Sequence, residues 1–159
     1  MTSNKSISLV LPYLIVRNAS EAIQFYQKAF DAKEIYRYSN KEGNVIMHAE
    51  IEIGDYSIFL ADECEGSTPF SNLYRSPETL NATSVILHVY TDDVDSLYEQ
   101  ALNAGVESIM PLTEMFWGDR YGQVKDPYGH LWSLATQIKH MTQDEILEAG
   151  RKASNPDHK

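Results

Sequence analysis

The sequence predicts an α+β fold built from two βαβββ modules. Three observations predict it: extended segments alternate with helical patterns, the order β, α, β, β, β occurs twice, and the two copies lie about seventy residues apart. The helix ends Ala29–Ala32 (AFDA) and Ala101–Ala104 (ALNA) are alike, as an internal duplication would leave them. We expect modules at about 7–62 and 83–138, a linker at 63–82 and a C-terminal helix at about 142–153.

The first module follows from periodicity and capping. Ile7 to Val16 is mostly apolar and predicts a strand, and Asn18 supplies capping chemistry for a helix whose apolar residues recur at near-helical spacing. Strict alternation from Val45 to Ile53 indicates a strand with two different faces. The other two strands of this module are predicted at 32–38 and 56–61.

The same order returns after the linker. A strand is predicted at 83–90, and Asp92–Asp93 precedes a helix whose apolar residues are spaced i, i+3, i+4 and i+7 until Gly105 ends it. Thr142 and Glu145 form a capping box that begins the C-terminal helix. Three more extended segments complete the second module, at 106–110, 116–125 and 130–138.

Composition excludes several classes of partner. The formal charge of -10 would repel a phosphate backbone, so we expect no nucleic acid partner. No apolar run approaches the roughly 20 residues that cross a bilayer, so we expect no membrane association. Cys64 is the single cysteine and cannot form an internal disulfide, and Met1–Lys5 lacks the apolar stretch of a signal peptide. These features predict a cytoplasmic protein.

Several short phrases together indicate a family. The most specific is Trp117–Arg120 (WGDR), followed six residues later by a phrase beginning DPYGH; the others are Ala22–Tyr26 (AIQFY), His48–Glu50 (HAE), Ile53–Asp55 (IGD) and Asp92–Asp95 (DDVD). Over residues 8 to 150 the chain resembles PhnB-like proteins of the vicinal-oxygen-chelate superfamily, which includes glyoxalases, bleomycin-resistance proteins and extradiol dioxygenases. The resemblance implies paired modules in a curved sheet around a cavity, and a homodimer.

The resemblance also implies where a metal would be held. In members similar to glyoxalase I, His and Glu side chains on the first and last strand of each module bind the ion. The corresponding positions are Leu11, Phe59, Ile86 and Ser133, or Tyr13 and His88 where the alignment shifts by two residues on a first strand. Neither alignment supplies a full set of ligands for zinc or nickel, so we expect no metal and no other cofactor.

His48 and Glu50 are the main candidates for chemistry in the first module. They are two residues apart on one strand, so both project from the same face with Cα atoms roughly 6.5 Å apart. With His88 across the cavity they could hold a metal; without metal they could contact a ligand or act as base and orienter. The alternative is that both are polar residues on the wet face of an antiparallel sheet.

Trp117 and Arg120 are the candidates in the second module. An aromatic plate and a guanidinium suit a planar or carboxylate-bearing ligand. The alternative is an ion pair of Arg120 with Asp119 or Asp126, with Trp117 in the core. For Trp132 the ordinary core interpretation is preferred.

These patterns predict a metal-independent protein that binds a small molecule and whose reaction is unknown. Its cavity is expected to be lined by Tyr13, His48, Glu50, His88, Trp117 and Arg120. One competing hypothesis is a metal-dependent lyase, isomerase or dioxygenase using His48, Glu50 and His88. The other is a dimeric scaffold with a vestigial pocket.

Overall fold

A computed structural model describes residues 7–64, 66 and 71–154. It contains two four-stranded sheets and four helices within these residues, which confirms the predicted α+β fold. The elements in chain order are β1 (Tyr13–Val16), α1 (Ala19–Phe30), β2 (Lys33–Ser39), β3 (Ile46–Ile53), β4 (Tyr56–Asp62), α2 (Pro77–Leu80), β5 (Ile86–Tyr90), α3 (Val94–Ala104), β6 (Glu107–Glu114), β7 (Asp119–Lys125), β8 (Leu131–Gln137) and α4 (Gln143–Ser154).

The two sheets have the same topology. The first has the strand order β1-β4-β3-β2 and the second β5-β8-β7-β6, and in each the first strand pairs in parallel with the last while the other pairs are antiparallel. In the first sheet Tyr13 lies opposite Phe59; in the second His88 lies opposite Ser133. The two modules that the sequence predicts therefore share the same strand order and the same pattern of strand pairing.

The helices begin and end where capping residues allow it. Asn18 accepts a hydrogen bond from the backbone N–H of Glu21 at the start of α1, and Asp93 accepts one from Ser96 at the start of α3. Gly105, at φ 113°, ends α3 in the left-handed conformation that glycine adopts without strain. α1 and α3 each cover one face of the sheet of their own module and also pack against each other.

One hydrophobic core joins the two modules. Phe30 of α1 lies 4.6 Å from Trp132 of β8, measured between ring centroids, although the two residues belong to different halves of the chain. Tyr26 of α1 is fully buried in the same core. Trp132 is also buried, as its sequence position predicted. Neither module therefore buries its helix-covered face by itself.

The carboxylate of Asp126 lies at the centre of this junction. Its Oδ2 accepts hydrogen bonds from the Tyr26 hydroxyl at 2.8 Å and from Trp132 Nε1 at 2.9 Å. Its Oδ1 accepts from the backbone N–H groups of Tyr128 and His130, both at 2.9 Å. Four donors compensate the burial of one carboxylate, which explains the Asp-Pro-Tyr-Gly-His phrase as hairpin architecture.

Some elements differ from the sequence prediction. β1 begins at Tyr13 and not at Ile7, and the linker contains the short helix α2. Residues 65 and 67–70 of the predicted linker lie outside the described residues. None of the helices in the described part of the chain is long and apolar enough to span a bilayer.

The rest of the linker is held by Glu63. This carboxylate accepts hydrogen bonds from the backbone and hydroxyl of Ser76 and from the hydroxyl of Thr79. Burial alone would raise the pKa of Glu63, but these hydrogen bonds, with the charge of Arg75, lower it overall. On the other side of α2, Gly129 approaches so closely that an added Cβ would lie 2.6 Å from the backbone nitrogen of Glu78.

Candidate functional site

His48 lies on the face of the first sheet that α1 leaves uncovered, and two tyrosines bind its imidazole. The Tyr13 hydroxyl lies 2.8 Å from Nδ1, and the Tyr36 hydroxyl lies 2.8 Å from Nε2. The ring of Phe59 meets the imidazole edge at a centroid distance of 4.9 Å. Residues from β1, β2 and β4 thus hold one histidine of β3 in a fixed orientation.

The hydrogen-bond directions around His48 are restricted. A neutral imidazole has one nitrogen that donates and one that accepts. One tyrosine therefore donates its proton to His48, and the other accepts a proton from it. Since both ring nitrogens are already engaged, His48 has no lone pair directed at a metal ion in this arrangement.

The Tyr13 phenol keeps its proton in this network. Burial is the main cause that raises the pKa of its hydroxyl, and the neighbouring Tyr74 and Tyr36 contribute. Raising the pKa of a phenol favours its protonated form. Tyr13 is nevertheless 45% exposed, so its hydroxyl group is in reach of a ligand.

Glu50 lies on the same face as His48, as the sequence predicted. Its Oε1 accepts a hydrogen bond from the hydroxyl of Ser57 at 2.7 Å. In the sheet it stands between Tyr36 on β2 and Phe59 on β4. The carboxylate is therefore oriented by a neighbour and borders the aromatic surroundings of the histidine.

A cavity of about 800 Å³ adjoins this network at the end of the first sheet. That volume is within the range of small-molecule sites. Tyr13 belongs to both the cavity and the His48 network. The other lining residues come from β1, β3, β4, the loops at their ends and the linker: Arg17, Asn18, Asn44, Val45, Ile46, Met47, Ala61, Asp62, Glu63, Cys64 and Tyr74.

The second sheet carries its own polar and aromatic group on its uncovered face. His88 Nδ1 lies 2.6 Å from the hydroxyl of Ser133, and its ring meets those of Tyr90 and Tyr121 at 4.5 and 6.0 Å. The structure therefore groups His88 with other residues of the second sheet and not with His48.

Trp117 belongs to the same face as His88. Its Nε1 donates to Asp119 Oδ2 at 2.9 Å, and the Tyr90 hydroxyl donates to the same oxygen at 2.9 Å. Its ring also contacts that of Tyr121 edge-on, at 5.7 Å between centroids. Trp117 thus extends the aromatic surface of the second sheet.

Arg120 lies on the helix side of β7. Its Nε and Nη2 donate to the two carboxylate oxygens of Asp95 on α3, at 2.7 and 2.6 Å. The hydrogen bond from Arg120 lowers the pKa of Asp95. Trp117 and Arg120, three residues apart in the sequence, therefore occupy different surroundings.

Comparison with known families agrees with this architecture. A family model described as the Glyoxalase/Bleomycin resistance protein/Dioxygenase superfamily matches residues 7–134. The chain belongs to this superfamily. An uncharacterised protein of Mycobacterium bovis is 39% identical over 142 residues, covering 87% of this chain and 89% of that protein. A protein of Mycobacterium tuberculosis H37Rv, also uncharacterised, is 39% identical over 142 residues, and the match covers 87% of this chain and 79% of that protein.

Several solved structures share the fold. TioX from Micromonospora sp. ML1 has a TM-score of 0.62 at 20% identity, covering 83% of this chain and all of that one. A PhnB protein from Bacillus cereus has a TM-score of 0.55 at 21% identity, covering 80% and 98%. The fosfomycin resistance protein FosX from Listeria monocytogenes, complexed with Mn(II) and sulfate, has a TM-score of 0.58 at 24% identity, covering 90% and 98%. At these identities the likeness shows the fold.

The residues of this superfamily member do not fit the metal site of glyoxalase I. The strand register supports the alignment shifted by two residues, since Tyr13 faces Phe59 and His88 faces Ser133. A phenyl ring cannot coordinate an ion, and a serine hydroxyl is a poor ligand for a transition metal. Among the residues that the structure describes, no three His, Cys, Asp or Glu side chains come together as a potential metal site.

Sequence reasoning missed several residues around His48. The sequence places Tyr36 in a predicted strand and carries no sign of a contact with His48, yet the Tyr36 hydroxyl engages the imidazole. A register shift between Glu34 and Tyr36 interrupts the alternation of β2, so periodicity did not assign Tyr36 to a face. Arg17 also lines the cavity, although no motif in the sequence singles it out.

Proposed function

We propose that this chain binds a small molecule, without a metal, beside Tyr13 and His48 on the first sheet. The carrying observation is that two tyrosine hydroxyls occupy both imidazole nitrogens next to an open cavity of about 800 Å³. An engaged imidazole is a hydrogen-bonding group and a poor metal ligand in this form. The open volume favours a working pocket over a vestigial one filled with bulky side chains.

The sequence-predicted residues divide between two surfaces in this proposal. Tyr13 lines the cavity of the ligand site, and His48 and Glu50 lie on the same face of the first sheet. His88 and Trp117 form a second candidate surface on the other sheet. Arg120 is assigned to fixing β7 against α3 through Asp95.

A fragment screen with a blocked variant tests the proposal. Met47 is half exposed and lines the cavity, so Met47→Trp should fill part of it without disturbing the core. Fragments that raise the melting temperature of the wild-type protein should lose that effect in Met47→Trp. They should keep it in the matched control Tyr56→Trp, at the exposed tip of the β3–β4 hairpin. Fragments that stabilise both variants equally would refute a ligand site at this cavity.

Elemental mass spectrometry separates this proposal from a metal-dependent enzyme. Protein purified without tags or chelators should contain far less than one transition metal per chain. About one Ni, Zn, Mn or Fe per chain, lost on substitution of His48 or His88, would favour the metal-dependent lyase, isomerase or dioxygenase instead.

We also propose a homodimer in the cytoplasm. The uncovered faces of both sheets carry exposed apolar side chains, among them Tyr38, Ile86 and Tyr90, which a second copy could cover. Sedimentation should give a dimer for the wild type and more monomer for Ile86→Lys. An unchanged dimer would exclude this face from the interface.

A further inference from the structure

The Tyr13 hydroxyl lacks a good acceptor for its proton in one of the two hydrogen-bond arrangements around His48. When Nδ1 donates to Tyr13 and Tyr36 donates to Nε2, the Tyr13 proton must point elsewhere. Its other partner in the described part of the chain is the carbonyl oxygen of Met47, at 3.5 Å. An O–H···O hydrogen bond usually measures roughly 2.5–3.0 Å, so this distance is too long for a good one. The proton is thus available to a ligand in the adjoining cavity.

The charged side chains of the cavity favour an uncharged ligand. Among the lining residues, Asp62 and Glu63 are acidic and Arg17 is basic, which leaves a formal excess of one negative charge. Asp62 is fixed by the backbone N–H groups of Ala19 and Ile46, at 2.6 and 2.7 Å. These carboxylates repel an anion, while a hydroxyl donor does not suit a cation.

We propose, on the basis of the ligand site proposed above, that the cavity takes an uncharged molecule whose carbonyl oxygen accepts a hydrogen bond from Tyr13. His48 and Tyr36 are positioning residues: Tyr36 donates to Nε2, Nδ1 donates to Tyr13, and the Tyr13 proton is directed at the ligand. A chain of hydrogen bonds pointing one way polarises its members and strengthens the last bond. The site is therefore selective for a neutral oxygen acceptor.

Two fluorescent naphthalenes test this specificity. Acedan, 6-acetyl-2-dimethylaminonaphthalene, has one carbonyl group, and its emission moves to longer wavelength when that oxygen accepts a hydrogen bond. 2-Dimethylaminonaphthalene is the same molecule without the acetyl group. Tyr13→Phe should weaken acedan binding about five- to tenfold, the usual effect of losing one hydrogen bond, and should move the bound emission to shorter wavelength. It should not change binding of the probe without the carbonyl.

Tyr56→Phe is the matched control. Tyr56 lies at the tip of the β3–β4 hairpin and is exposed. This variant should leave the affinity and emission of acedan unchanged. An equal loss of both probes in Tyr13→Phe would show that Tyr13 supplies only contact area, and would overturn the inference.

The direction of the hydrogen bonds is tested by nitrogen NMR of labelled histidine. Acedan should increase the form of His48 that carries its proton on Nδ1, and Tyr36→Phe should abolish this change and shift the bound emission even though Tyr13 remains. An unchanged His48 signal on saturation would overturn the relay. Two outcomes separate this inference from the proposed function. If the wild type binds both naphthalenes equally and Met47→Trp weakens the binding of both, the ligand site is supported and the carbonyl specificity is refuted. If Met47→Trp changes the binding of neither the fragments nor the naphthalenes, the proposed function itself is refuted.

Discussion

The hydrogen bond between Tyr26 and Asp126 connects the two modules and should contribute measurably to the stability of the whole chain. Tyr26→Phe removes one hydroxyl that donates to a buried carboxylate and leaves the ring contacts with Phe30 and Trp132 in place. A hydrogen bond to a charged group contributes about 1.5–3 kcal/mol, and no cavity larger than one oxygen is created. We expect the free energy of unfolding to fall by about 2 kcal/mol.

Asp126→Asn should cost more than Tyr26→Phe. Each carboxylate oxygen accepts from two donors, so the amide group of an asparagine must point its N–H₂ at a pair of donors whichever way it turns. Trp132 Nε1 or a backbone N–H then loses its acceptor inside the core. An unsatisfied buried donor adds about 1–3 kcal/mol.

Urea denaturation followed by tryptophan fluorescence and by circular dichroism measures these effects. Tyr128→Phe is the matched control: its ring packs against Tyr26 at the same junction, but it contacts Asp126 through its backbone N–H. That variant should change the free energy of unfolding by less than about 0.5 kcal/mol. A cost for Tyr26→Phe no larger than for Tyr128→Phe would refute the importance of the bond, as would an Asp126→Asn protein as stable as the wild type.

Three further predictions follow from single positions. In urea denaturation, Gly129→Ala should lower the free energy of unfolding by about 1–3 kcal/mol more than the control Gly43→Ala. Both glycines have positive φ, but of the two only Gly129 lies against the backbone of another segment. Equal costs for the two variants would contradict this. Burial, with nearby acidic groups, raises the pKa of Tyr128 to about 12. The free energy of unfolding should therefore be unaffected by ionisation of this group below pH 10 and should fall as the pH rises from 10 towards 12, because the unfolded chain loses this proton first. Tyr128→Phe should flatten that fall in a pH series of denaturation curves. Arg120→Ala should leave acedan affinity within about twofold, because the guanidinium is paired with Asp95; a large loss would return Arg120 to the ligand site.

The sequence predicts the fold well because each module repeats strong local signals. Alternation in β3 and capping at Asn18, Asp93 and Gly105 depend on neighbours in the chain, and all appear in the structure. The predicted strand from Ile7 fails in its first half for a different reason. A strand needs a partner for its backbone groups, and in the described residues β1 pairs with β4 only from Tyr13 onward.

The candidate site is less predictable because it depends on which face and which sheet a residue occupies. Trp117 lies in the turn before β7, where Gly118 has a φ of 97°, and Arg120 lies within β7, so their side chains take different directions although the two residues are only three apart. His48 and His88 look equivalent in sequence, but each is held by partners of its own sheet. The role of Tyr36 follows from a register irregularity that local patterns do not encode.

The shared core constrains how such a chain could have arisen. Phe30 and Trp132 pack together across the two halves, so a half-length ancestor with one βαβββ unit would have exposed a large apolar surface. Such an ancestor would have needed a second copy to be stable, and fusion would then have turned an intermolecular contact into an internal one. The same geometry suggests a use: two separately expressed halves, divided within the linker, should reassemble into one particle.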